Sequence, residues 1–146
     1  MATTAQEIFE AAMGLMDELD DSGAADTSDT AEYKNRVLLI LNTLAPELYP
    51  YSDTYEIDEA GERPVLRRIK KLSEAVDLDD YCCRTVLPYG LAAQLWLGED
   101  NVGAQFCQQR YEELKDGLRR GLPVTSEDIN DVYGSYGWYD QFGAWT

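Results

Sequence analysis

No histidine occurs anywhere in the 146 residues, which removes the usual general base, the commonest zinc ligand and the side chain that titrates near neutrality. Cysteine is scarce, and Cys82, Cys83 and Cys107 make no C-x-x-C pair. Buried free thiols are therefore expected, not a zinc or dithiol site. Positive charge is also in short supply. Twelve Lys and Arg face 28 Asp and Glu, a formal net charge of -16 that disfavours nucleic-acid backbones and anionic membranes as ligands. No apolar run approaches the roughly 18 residues of a membrane span, and no basic stretch followed by an apolar one opens the chain. The expectation is a protein that is cytosolic when made.

The familiar chemical motifs are missing too. There is no phosphate-cradling G-x-x-x-x-G-K-[ST] loop, no G-x-G-x-x-G turn, no G-x-S-x-G elbow and no H-E-x-x-H helix. The acidic stretch from Asp17 to Asp29 lacks the residue order of a calcium loop. A carboxylate pair of the glycosidase kind stays open only because acids are so abundant. The sequence thus predicts no enzyme, no cofactor and no metal.

What the chain does contain is enough apolar residue, 45% with 11% aromatic, to bury one core at the modal size of a single domain. Residues 1–19 read as an amphipathic helix, capped by Thr4 with Glu7 at the capping-box position and with Ile8, Ala12, Leu15 and Leu19 on one face. A solvated loop at 20–29 leads to a second helix from about Thr30 to Leu44, started by Asp29 with Glu32. Its run Val37 to Leu41 is apolar on nearly every side, as a central helix requires. Pro46 and Leu48 fit a final turn. Tyr49 to Pro64 reads as a projecting loop or short hairpin, whose tyrosines are either packing aromatics or an exposed contact surface.

Val65, Leu66, Ile69, Leu72 and Val76 recur at helical spacing and predict a short third helix studded with cations. A fourth, from Asp79 to about Leu97, carries Pro88 and Gly90 and should bend there. A fifth begins after Glu99, Asp100 and Asn101, buries Cys107, Tyr111, Leu114 and Leu118, and ends at Gly121 with Arg119 and Arg120 complementing its dipole. Leu41, Leu95 and Leu114 are expected in the core. The fold class is all-α: a bundle of four to five helices spanning 1–121, followed by a tail, 122–146, in which Val124 to Asp131 could form one more turn.

Two constellations stand out. Arg63, Arg67, Arg68, Lys70 and Lys71 hold five of the twelve positive charges within nine residues. They form either a solvated helix face or a basic patch that docks the acidic face of an identical neighbour. Beyond the last helix, Tyr133, Tyr136, Trp138, Tyr139, Phe142 and Trp145 are spaced by glycines. Either they fold back on the helices or they form an arm whose aromatics fill pockets on a partner, the reading favoured here.

Taken together, the segments TAQEIFEAAMGLMDE, ELYPYSDTY, VLPYGLAAQLWLGED and NVGAQFCQQRYEELKDGL followed by EDINDVYG resemble the head-to-tail connector, or adaptor, proteins of long-tailed bacteriophages and related prophages. The resemblance covers most of the chain; the Trp-rich ending after Gly134 departs from the family pattern. It implies a small helical virion protein of the neck, present in host cytoplasm before assembly. It further implies a closed, dodecameric homo-oligomeric ring beneath the portal protein, extending a channel through which DNA passes without specific binding. On that model the tail aromatics contact the portal, the basic cluster contacts the neighbouring subunit, and the loop bearing Tyr51 and Tyr55 faces the stopper or tail-completion protein. The family carries no catalytic residues. An acidic host-directed binding module, such as a DNA mimic, is the alternative from another class, and a small hydrolase a distant third.

Overall fold

The computed structural model describes residues 2–57 and 59–121. These form four α-helices: α1 (Ala5–Leu15), α2 (Ala31–Leu48), α3 (Leu87–Trp96) and α4 (Asn101–Arg120). Among the described residues there is no strand, only one isolated antiparallel bridge between Thr4 and Ala75. The all-α class is as expected from the sequence.

Both ends of α1 follow local chemistry. Thr4 Oγ1 accepts from the Glu7 N–H while Glu7 Oε2 accepts from the Thr4 N–H, the reciprocal pair of a capping box. The helix stops at Leu15 because Asp17 turns left-handed at φ 58°. The Glu18 N–H then reaches back to the Met13 carbonyl at 2.9 Å and the Asp17 N–H to that of Gly14 at 3.3 Å, a Schellman closure. The buried face is consequently Ile8, Phe9, Ala12, Met13 and Met16. Leu15 and Leu19, expected on that face, are exposed, since Leu19 lies beyond the left-handed turn and the helical spacing no longer applies to it.

Helix α2 begins one residue later than Asp29 would place it. The Thr30 hydroxyl, fully buried, donates to the Ala25 carbonyl at 2.7 Å and accepts from the Thr27 N–H at 3.0 Å. It thereby stitches the 20–29 loop to the helix and leaves no side-chain cap on α2. The helix runs through Pro46 to Leu48. Val37, Leu41, Leu44 and Leu48 are buried, but Leu39 is 69% exposed, so α2 is a flanking helix and not the central one.

The central position belongs to α3, which touches α1, α2 and α4. It is buried on nearly all sides by Leu87, Leu91, Leu95, Ala92 and Ala93. Small residues allow this close approach: a Cβ on Gly90 would lie 2.8 Å from the Tyr111 ring and 2.9 Å from Leu44. The bend expected at Pro88 takes the form of a π-helical turn, Cys82–Val86, immediately before it. Pro88 has no N–H to offer the preceding turn, and the wider turn relieves the ring's clash with it. That turn also lets the adjacent Cys82 and Cys83 both face the core, as free buried thiols. Burial pushes the Cys83 thiol up to about 12 and that of Cys82 higher still. Asp100 Oδ1 caps α4 through the Gly103 N–H at 3.0 Å, and Cys107, Tyr111 and Leu114 are buried as expected, with Leu118 half-buried.

Candidate functional site

The segment expected as a third helix is not one. Residues 61–70 run without helix or strand, as a strap held against α2. Asn42 on α2 explains why. Its side-chain amide donates to the Ile69 carbonyl at 2.8 Å and accepts from the Ile69 N–H at 2.8 Å, so both backbone groups of Ile69 are satisfied from outside the segment. Further along, the Leu72 and Glu74 carbonyls accept from the Gln6 and Ala5 N–H groups, which α1 leaves without intrahelical partners. Ile69 and Val76 are buried, Leu66 and Leu72 half-buried, and Val65 is 90% exposed. A helix would have competed for the same backbone groups.

The strap displays its cations to solvent. Arg63, Arg67, Arg68, Lys70 and Lys71 are all exposed. Ion pairs among the described residues join Lys34 to Asp26, Arg110 to Glu113, Lys115 to Glu47 and Glu112, and Arg120 to Asp116. None of these pairs uses a strap cation. Arg36 serves the fold as well, donating to the Leu95 carbonyl at 3.0 Å at the end of α3. One block of positive charge is thus left out of every ion pair among the described residues.

Beside the strap lies a shallow groove of about 340 Å³ lined by Leu39, Asn42, Thr43, Pro46, Leu66, Arg67 and Arg68. A contiguous hollow of about 350 Å³ adds Leu38, Ile69 and Lys70. The exposed Leu39 therefore sits in an apolar trough rimmed by three of the five cations. Composition announced the cations, but nothing in it marked Leu39 or Asn42. The one available signal for Asn42 is a polar residue closing the apolar run 37–41.

The expected stopper-facing loop is pinned down at its start. Ser52 Oγ, buried, accepts from the Asp79 N–H at 2.9 Å, and Thr54 Oγ1 donates to the Asp77 carbonyl at 2.9 Å. Asp79 accepts from the Cys82 N–H at 2.8 Å and the Asp53 N–H at 3.1 Å. Burial works against its ionised form, yet those N–H donors hold its carboxyl below the usual range. Tyr55, half-buried, packs edge-on against Tyr49 with ring centroids 5.2 Å apart, and Tyr49 in turn packs against the core. Tyr51 is half-buried, lining a cleft of about 440 Å³ with Asp53, Asp79, Asp80 and Tyr81. Asp53 is exposed within this pinned part, and Glu56 and Ile57 beyond it are exposed as well, Ile57 65% accessible.

Two tyrosines tie the bundle's flanks to acids. The Tyr33 hydroxyl donates to Glu99, which, with burial, pushes its pKa up to about 12. The Tyr111 hydroxyl donates to Glu47 at 3.0 Å, and burial raises its pKa further. Among the described residues every buried side-chain polar atom has a partner, and no cluster of three His, Cys, Asp or Glu is placed to hold a metal. No described helix is long and apolar enough to cross a membrane. Tyr133, Tyr136, Trp138, Tyr139, Phe142 and Trp145, with the rest of 122–146, lie outside the described residues. Comparison with protein-family models, with curated proteins and with solved structures found no match for this chain.

Proposed function

We propose that the chain is a virion structural protein, a head-tail adaptor that forms a closed homo-oligomeric ring under the portal, extends the DNA channel and docks the stopper or tail-completion protein. It acts by binding, not by catalysis. The observation that carries this reading is the strap: five exposed cations, outside every ion pair of the described residues, on a chain of net charge -16. Such asymmetry suits a heterologous contact in which the basic strap of one subunit meets an acidic surface of the next, and a repeated heterologous contact closes a ring. The acidic remainder suits a channel through which DNA slides without adhering. In this reading the aromatic tail, Tyr133 to Trp145, supplies the contact with the portal.

Reversing Arg67, Arg68, Lys70 and Lys71 to glutamate in the full chain tests the proposal. Exposed charges contribute little to stability but much to docking, so the expected variant keeps its circular dichroism and melting temperature and fails to form rings with the portal. Rings of normal size from that variant would make the strap an ordinary solvated surface. A chain that ignores the portal altogether would favour the acidic host-directed module instead.

A further inference from the structure

We infer that the trough around Leu39 receives the exposed residues Glu56, Ile57 and Glu59 from a second copy of this chain. The inference deepens the ring proposal above and rests on it, because it names the two surfaces that would meet.

The trough dictates what fits. Its floor is apolar, with Leu39 69% exposed and Leu66 half-buried, and its rim carries Arg67, Arg68 and Lys70. An occupant must place an apolar side chain at its centre and carboxylates at its flanks, which desolvates the leucines and engages cations that form no ion pair among the described residues. Glu56, Ile57 and Glu59 offer that pattern: Ile57 is 65% exposed, and Glu56 and Glu59 are both exposed. Within one chain the two surfaces are not joined, since Ile57 and Leu39 are both open to solvent. The competing acidic and apolar turn near Leu19 is less suited, because Asp20 already accepts from the Ser22 hydroxyl at 2.6 Å and the Ala24 N–H at 2.8 Å. A trough and an occupant on different parts of the surface make a head-to-tail contact, the kind that repeats around a ring.

A charge swap in the full chain tests it. One variant carries Arg67→Glu, Arg68→Glu and Lys70→Glu; the other carries Glu56→Lys and Glu59→Lys. Self-association is measured by sedimentation velocity at low and high salt, with circular dichroism as the check on folding. Each variant alone should associate at least about tenfold more weakly than the natural chain. An equimolar mixture of the two should recover association, because each trough then meets residues of opposite sign. If the strap variant loses association while the Glu56→Lys, Glu59→Lys variant keeps it, these residues are not the occupant and the ring proposal stands with another acidic part of the chain. If the mixture fails to recover, the pairing is wrong. A natural chain that stays monomeric with and without portal overturns both readings.

Discussion

Replacing Asn42 with alanine should release the strap. Two hydrogen bonds of 2.8 Å disappear, one from each end of the amide. The Ile69 N–H and carbonyl that lose their partners belong to a residue only 4% exposed. Removing the amide leaves each of the two Ile69 groups to bear its own desolvation penalty, about 1 to 2 kcal/mol apiece. The expected loss is about 2 to 4 kcal/mol, or about 6 to 12 °C in melting temperature for a domain of this size. Asn42→Asp should fall in the same range, because a carboxylate can still accept from the Ile69 N–H but has nothing to donate to its carbonyl. Thr43→Ala, at the neighbouring exposed position, should stay within about 0.5 kcal/mol. Urea melts followed by circular dichroism give the energies, and hydrogen exchange at the Ile69 amide reports the strap directly. An Asn42→Ala chain with an unchanged midpoint and a still-protected Ile69 amide would refute the clamp.

Leu41→Ala and Leu95→Ala, at fully buried positions, should each cost about 2 to 5 kcal/mol in urea unfolding. Gly90→Ala should cost about 1 to 3 kcal/mol by driving a methyl group into the Tyr111 ring and Leu44, visible as a lower melting temperature. Burial holds the Cys83 thiol protonated in the folded chain up to about 12, whereas in the unfolded chain it ionises near its ordinary value of 9.0. Its contribution to stability is therefore complete below that value and is lost progressively as pH rises from there toward 12. A thiol reagent at mildly alkaline pH should accordingly label Cys83 only after denaturant is added.

Helices α1 and α4 were legible in the sequence because their signals are local. Thr4 and Glu7 sit three residues apart, and Asp100 and Gly121 bracket an apolar stripe at helical spacing. The strap was not legible, because the periodicity of 65, 66, 69, 72 and 76 imitates a helix while the groups that decide against one lie on α2 and α1. Leucine content pointed to α2 as the centre. Packing chose α3 instead, where glycine and alanine let three neighbours approach. Of the docking surface, the cations could be read directly. Their freedom from ion pairs and the trough at Leu39 could not, since both follow from which side chains the folded helices leave uncovered.

The central claim is ring formation at the portal, and native mass spectrometry of the full chain with purified portal protein tests it most directly. The account predicts one discrete complex in which copies of the chain form a complete ring on the portal, lost when the strap cations are reversed. Chains that remain monomeric beside an unoccupied portal, or bind it in a ladder of masses insensitive to the strap, would contradict it.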